Sequence, residues 1–179
     1  MSDAPGFDTQ AIRTQATRSA HREHSVPVYL TSSFVFDTAE QGRDLFAGEE
    51  DGLVYSRYGN PSVDEFVQKL CAMEHTADGI ATATGMAAMF ASIAGLVSAG
   101  DHIVCSRAVF GSTSQILSKI LPRWGIETTF VPPDDPGAWR TAARKNTTVF
   151  FAETPSNPGL ELLDIAAVAE IAHDIGATF

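Results

Sequence analysis

The stretch Ile80-Ala-Thr-Ala-Thr-Gly-Met-Ala-Ala-Met-Phe-Ala-Ser-Ile-Ala-Gly-Leu-Val97 reads as a short apolar strand turning through Thr84-Gly85 directly into a helix. From Met86 onward the apolar residues Met86, Met89, Phe90, Ile93, Leu96 and Val97 fall three and four apart, the spacing of one buried helical face. Gly100 then stops the helix. At such a junction the first amides of the helix lack intrahelical partners and lie at the positive end of its dipole, where a phosphate is stabilised. Gly85 and Met86 are therefore candidate anion-binding amides. An ordinary strand-turn-helix connection, with Gly85 present only for its dihedrals, fits the same residues.

What surrounds this junction is constrained by charge and length. The 179 residues carry 12 Lys+Arg against 22 Asp+Glu, a net charge of -10, which repels nucleic acid and anionic membrane surfaces. The opening residues Met-Ser-Asp-Ala-Pro-Gly-Phe-Asp have neither a basic patch nor an apolar core, and the longest apolar run is too short to span a bilayer. The expectation is a soluble, cytoplasmic protein of one domain, or one domain plus an arm. Cys71 and Cys105 stand far apart with no Cys-x-x-Cys, so both are expected as reduced, mostly buried thiols.

Along the chain, residues 1–6 read as a flexible tail, and Asp8 or Thr9 caps a short helix through about Ala20. His21 and His24 stand three apart but without a third ligand, so they read as solvated side chains rather than a metal site. Val26 to Phe36, with Pro27, reads as an extended arm. Thr38 with Gln41 forms a capping box that starts a helix ending near Gly48. In Asp51 to Pro61, an extended backbone would put Tyr55 and Arg57 on one side, where a phenol and a guanidinium grip one anion; a surface loop with a structural tyrosine is the plainer reading. Asn60-Pro61 starts a helix whose stripe Val63, Phe66, Val67, Leu70 and Cys71 is expected to be buried.

After Gly100 strands at His102–Ser106, Glu127–Val131 and Thr147–Glu153 alternate with helices at about Ser112–Leu121, Pro136–Arg144 and Ile165–Ile175. That alternation predicts an α/β fold with a mostly parallel sheet and right-handed crossovers, its ligands outside the carboxyl ends of the strands. The positions just after the strands are Thr84-Gly85, Ala108 to Gly111 and Thr154 to Pro158. Phe110 offers a flat apolar face, Asn157 an amide, and Gly85-Met86 two N–H groups, a set suited to an aromatic ring carrying a phosphate. A core phenylalanine and a turn-forming asparagine account for two of these residues equally well. There is no Gly-x-Gly-x-x-Gly, P-loop or Gly-x-Ser-x-Gly motif, which counts against dinucleotide, P-loop nucleotide and serine-hydrolase chemistry.

Taken together, Val54-Tyr-Ser-Arg-Tyr-Gly-Asn-Pro61, Ala83-Thr-Gly-Met-Ala-Ala88, Val109-Phe-Gly-Ser-Thr113 and Glu153-Thr-Pro-Ser-Asn-Pro158 resemble the Cys/Met-metabolism family of pyridoxal-phosphate enzymes, over residues 29 to 179. The resemblance implies part of an aspartate-aminotransferase-like (fold type I) domain with helices on both faces of the sheet, preceded by an extended N-terminal arm. It divides the chain into an arm and dimer-contact segment, 1–60, and the N-terminal part of the large cofactor-binding domain, 61–179. It implies that Gly85 and Met86 bind the cofactor phosphate, that Tyr55 and Arg57 hold the phosphate of a neighbouring subunit in a homodimer or homotetramer, that Phe110 stacks on the pyridine ring, and that Asn157 sits beside the ring's 3-oxygen. Family members often carry a tyrosine at the stacking position, with a proton-transfer role its hydroxyl performs. Phe110, together with Ile120-Leu-Pro-Arg-Trp-Gly125, is more similar to the O-succinylhomoserine sulfhydrylases.

The implied chemistry is γ-replacement on an O-acylated homoserine, a small amino-acid substrate, with sulfide giving homocysteine; a cystathionine γ-synthase or γ-lyase on the same scaffold is the alternative. The resemblance requires a Schiff-base lysine. Lys69, Lys119 and Lys145 are the only lysines, two within predicted helices and one just before a strand, and all read as surface residues. The family's lysine, and the aspartate that pairs with the ring nitrogen, are expected beyond Phe179, so no catalytic residue is assigned in this chain. The expectation is the N-terminal part of a longer polypeptide. The alternative of another class is a non-catalytic truncated paralogue that associates with a complete subunit.

Overall fold

The computed structural model describes residues 5–14 and 18–179. Two compact units divide at Ala81/Thr82.

In the first unit, α1 (Phe7–Arg13) starts from Gly6 rather than from Asp8 or Thr9, and it ends at Thr14. The expected continuation to Ala20 fails at residues 18–20, which are non-helical, and its part over 15–17, like the tail at 1–4, lies outside the described residues. α2 (Ala39–Ala47) begins on Thr38, whose hydroxyl accepts from the Gln41 N–H at 3.0 Å, and closes on Gly48 in the left-handed region. The Gln41 side chain reaches back to the Asp37 N–H at 2.8 Å, so the box closes one residue earlier than the motif prescribes. α3 (Pro61–Glu74) starts on Asn60, which is 4% exposed.

Asn60 joins three segments. Its carbonyl accepts from the Ser62 N–H at 2.9 Å, while its amide donates to the Tyr29 carbonyl at 3.1 Å and to the Ser56 hydroxyl at 3.0 Å. The Ser62 hydroxyl in turn accepts from the Tyr29 N–H at 2.8 Å. Residues 26–36 run without regular structure apart from an antiparallel bridge between Ser33 and Tyr55.

The buried stripe expected on α3 is corrected. Val63 is 43%, Phe66 55% and Leu70 39% exposed, Cys71 is only partly buried, and the buried residue of the helix is Glu65. Spacing identifies an apolar face but does not say what covers it. Val67 and Cys71 do meet a neighbour, because a Cβ on Gly79 would lie 3.3 Å from Val67 Cγ1 and 3.4 Å from Cys71 Sγ.

The strand expected at Ile80–Ala83 is also absent: this stretch is irregular and Ile80 is 91% exposed. A strand persists only beside a neighbour that exchanges hydrogen bonds with it, and no described strand does so here.

The second unit is the α/β fold the alternation predicts. α4 (Gly85–Ala94) is followed by β1 (His102–Ser106), α5 (Gly111–Gln115), β2 (Glu127–Val131), α6 (Pro136–Ala142), β3 (Thr147–Phe151) and α7 (Ile165–Asp174). The strands form a parallel sheet in the order β2-β1-β3, and Thr178 adds a parallel bridge to Val149 on the outer side of β3. α4 ends five residues before Gly100 would stop it, which leaves Leu96 51% exposed. Beyond Gln115 the helix after β1 widens to a π turn over Ile116–Ile120 and tightens to a 3-10 turn over Leu121–Trp124, a longer and less regular element than expected.

Side-chain alternation along the strands puts apolar residues on both faces of the sheet. Ile103, Cys105 and Val149 pack with Ile93 of α4 and with Ile116, Leu117 and Leu121. On the other face Val104, Val131 and Phe150 pack with Trp139 of α6 and Val168, Ile171 and Ala172 of α7. The sheet is thus covered by helices on both faces. Burial pushes the Cys105 thiol far up, so it stays protonated and inert.

At the amino end of β1, His102 is fully buried, its Nδ1 2.8 Å from the Thr147 hydroxyl and its Nε2 2.8 Å from the Thr129 hydroxyl. Both threonine oxygens also accept from Arg144, Thr147 from its N–H at 2.7 Å and Thr129 from its guanidinium at 3.3 Å, so one hydroxyl donates to a ring nitrogen while the other accepts from the ring N–H. Burial lowers the pKa of His102 from 6.5, helped by the Arg144 guanidinium and opposed by Glu127. A folded histidine pKa below its unfolded value makes the unfolded chain bind the extra proton as pH falls through 6.5. Stability should therefore fall below pH 6.5, by at most about 1.4 kcal/mol per pH unit for one proton. Urea unfolding at pH 7.5 and pH 5.5 should show a drop that His102→Gln reduces; equal drops in both proteins would contradict the assignment.

Candidate cofactor site

The amino end of α4 is built by Thr84. Its carbonyl accepts the N–H groups of Ala87 and Ala88, both at 3.1 Å, and its hydroxyl accepts Ala87 again at 3.1 Å. Among the described residues, the amides of Gly85 and Met86 have no acceptor. Gly85 is not needed for a left-handed dihedral, and a Cβ there would meet nothing within 4 Å. Neither backbone strain nor packing within the described residues requires glycine. The two donors stand at the positive end of a ten-residue helix whose first residue, Gly85, is exposed, where negative charge is favoured.

The loops after β1 and β3 are joined directly. The Phe110 N–H donates to Glu153 Oε2 at 2.7 Å, and the Phe110 ring is 43% exposed. The same loop reaches the helix start through the core, because Met86 packs against the cluster that holds Val109 and Ile116. Asn157 is exposed in the loop after β3, where both Thr154-Pro155 and Asn157-Pro158 are cis. Hydroxyls shape that loop: Thr154 accepts from the Leu163 N–H at 3.1 Å, and Ser156, 2% exposed, accepts from the Glu161 N–H at 2.9 Å. The sequence reading missed Glu153, Thr154 and Ser156 as organisers. Their one signal was position, immediately after a strand that ends in this loop.

Tyr55 and Arg57 belong to the first unit and form a group of their own. They do not project from an extended backbone as expected. The Tyr58 N–H closes onto the Tyr55 carbonyl at 2.8 Å, so residues 55–58 are a turn. The turn still brings the pair together, because the Arg57 guanidinium lies 4.9 Å from the centroid of Tyr55 and 5.4 Å from that of Tyr58. Among the described residues no carboxylate pairs with Arg57, which leaves its donors available to an anion.

The lysines are elsewhere. Lys69 lies 3.7 Å from Glu65 on α3, Lys119 is exposed on the π turn, and Lys145 is exposed just before β3, at the amino end of that strand. Among the described residues no group of three or more His, Cys, Asp or Glu side chains could hold a metal, and Arg13 donates to His24 Nε2 at 2.8 Å.

The second unit thus carries two helix-start amides without acceptors among the described residues, an exposed aromatic ring after β1 and an exposed amide side chain after β3. The chain belongs to the family described as Cys/Met metabolism PLP-dependent enzyme, which it matches over residues 8–179. It is 47% identical over 178 residues to an O-succinylhomoserine sulfhydrylase of Pseudomonas aeruginosa, covering 98% of this chain and 44% of that protein. It is 43% identical over 168 residues to an L-methionine gamma-lyase of Porphyromonas gingivalis, covering 94% of this chain and 42% of that protein. A crystal structure of a putative O-acetylhomoserine (thiol)-lyase from Campylobacter jejuni, containing N'-pyridoxyl-lysine-5'-monophosphate, superposes with a TM-score of 0.91 at 31% identity. That match covers 98% of this chain and 43% of the other. The chain thus spans about 44% of the length of the curated relatives it matches.

Because nothing among the described residues needs glycine at 85, Gly85→Ala should leave the melting temperature of the cofactor-free full-length protein unchanged or slightly raised. The added methyl group should weaken pyridoxal-phosphate binding about tenfold or more. Titration of the cofactor by absorbance checks this, and unchanged affinity would remove Gly85 from the site.

Proposed function

We propose that this chain is the cofactor-phosphate-binding part of an enzyme performing γ-replacement on an O-acylhomoserine, with O-succinylhomoserine as the substrate and sulfide as the nucleophile. The acyl carboxylate leaves the γ carbon, the sulfur adds there, and homocysteine is released. The single observation that carries the reading is the pair of amides at Gly85 and Met86 that lack an acceptor among the described residues, at the start of a helix whose first residue is exposed. The 47% identity to O-succinylhomoserine sulfhydrylase supports the substrate choice.

In this reading Gly85 and Met86 bind the phosphate through backbone N–H groups, and Phe110 lays its ring on the face of the pyridine. Asn157 offers its amide to the ring's 3-oxygen. When bound, pyridoxal phosphate supplies an electron sink that makes the α and β protons of an amino acid acidic. Phe110 has no hydroxyl, so it orients the ring and excludes water but moves no proton. The three lysines stand on α3, on the π turn and at the amino end of β3, so this reading assigns the Schiff-base lysine to none of them.

Tyr55 and Arg57 of one protomer serve the phosphate bound by its partner, in a homodimer or homotetramer with shared sites. The support is local: an exposed guanidinium held over a phenol ring, with no carboxylate partner among the described residues. Residues 1–60 then act as arm and dimer contact, and 61–179 as the first part of the cofactor-binding domain. Cytoplasmic localisation belongs to the same reading, supported by the net charge of -10; among the described residues no helix is long and apolar enough to cross a membrane.

The 43% identity to an L-methionine gamma-lyase supports a second reading, γ-elimination on the same scaffold. Purified full-length protein supplied with O-succinylhomoserine should turn over faster with sulfide than with cysteine, and should release little 2-oxobutyrate from methionine. Faster turnover with cysteine would favour a cystathionine γ-synthase, and dominant release of 2-oxobutyrate a lyase. Arg57→Ala should lower cofactor affinity roughly tenfold or more through loss of a charge-assisted contact. An unchanged dissociation constant would take Arg57 out of the phosphate site.

A further inference from the structure

The Phe110 ring is 43% exposed and belongs to neither core cluster, so its placement depends in large part on its backbone. That backbone is tied down strand by strand. The Arg107 N–H donates to the Val131 carbonyl of β2 at 2.8 Å, and the Ala108 N–H donates to the Ser106 hydroxyl of β1 at 3.1 Å. Val109 is buried beneath the loop. The tie to the β3 side falls on Phe110 itself, whose N–H donates to Glu153 Oε2 at 2.7 Å. β1 and β3 are parallel neighbours with Cys105 opposite Phe151, so Glu153 emerges at the same edge of the sheet as the loop it holds.

We propose that Glu153 is a positioning residue: by accepting the Phe110 N–H across the β1–β3 edge, it fixes the aromatic ring that stacks on the cofactor. The proposal rests on the reading that Phe110 is that ring. Glu153 also serves the turn geometry, since its bond is made at the residue preceding α5, where the Phe110 carbonyl starts the helix by accepting from Ser114 at 3.0 Å. The carboxylate lies at the helix's amino end, where negative charge is favoured. What the position needs is an oxygen acceptor, so glutamine should replace glutamate and alanine should not.

The test uses full-length protein in four forms besides the wild type: Glu153→Ala, Glu153→Gln, Phe110→Ala and the double variant Glu153→Ala with Phe110→Ala. Three quantities are read for each: the dissociation constant for pyridoxal phosphate, the visible circular dichroism of the bound cofactor, and the melting temperature of the cofactor-free form. Glu153→Ala should weaken binding about tenfold, the loss expected for a charge-assisted hydrogen bond, and should change the visible dichroism. Glu153→Gln should stay within roughly threefold of wild type with its dichroism restored. In the Phe110→Ala background, Glu153→Ala should add less than about twofold, because residues acting through one another are not additive.

A Glu153→Ala effect that persists in full without the Phe110 ring would overturn the positioning role. So would a Glu153→Gln variant as impaired as Glu153→Ala, or a Glu153→Ala variant indistinguishable from wild type. If Phe110→Ala alone changes neither affinity nor dichroism, the stacking reading itself fails, an outcome separate from the others. Should Glu153→Ala melt too early to be loaded with cofactor, Glu153→Leu, which fills the same space without an oxygen acceptor, takes its place in both backgrounds with the same expected and overturning outcomes.

Discussion

Two unpaired N–H groups at the start of one helix set the terms for the rest of the molecule. Thr84 satisfies the amides of Ala87 and Ala88, and the amides of Gly85 and Met86 are left without an acceptor among the described residues. Free backbone donors are expensive to bury and inexpensive to expose, so this helix end belongs at a solvent-facing or ligand-facing edge. Met86, Met89, Phe90 and Ile93 hold it there by packing the helix onto the sheet face formed by Ile103, Cys105 and Val149. The hydrophobic face and the open amino end are therefore two parts of one arrangement, the first anchoring the second.

The parallel sheet adds the remaining parts at the same edge. Because β1, β2 and β3 run in the same direction, the loops that follow them emerge together, and the Phe110–Glu153 hydrogen bond links two of them. The opposite edge carries a different network, in which His102, Thr129, Thr147 and Arg144 satisfy one another's polar groups. One edge is thus closed by mutual hydrogen bonding and the other is left with donors to spare.

The alternation of apolar strands with amphipathic helices made the second unit legible: β1 and β2 match their expected bounds, β3 is two residues shorter, and α6 and α7 lie within one or two residues of theirs. Caps were equally readable at Thr38 and Asn60, since a side-chain acceptor before a helix acts within three residues. What failed depended on partners distant in the chain. Ile80–Ala83 has strand composition but no described strand to pair with, and the Phe66 stripe has helical spacing but is covered only at Val67 and Cys71 among the described residues. For Tyr55 and Arg57 the plainer reading, a surface loop, fits the turn at 55–58, and the pair is brought together by folding back rather than by an extended backbone. Glu153 could not be singled out from the sequence, because its role is a contact with a residue 43 positions away.

The most direct test of the central claim is a crystal structure of the full-length protein with pyridoxal phosphate bound. The account predicts phosphate oxygens within hydrogen-bonding distance, about 2.7–3.2 Å, of the Gly85 and Met86 nitrogens. A phosphate seated elsewhere, with those two amides bonded to protein or to bulk water, would contradict it.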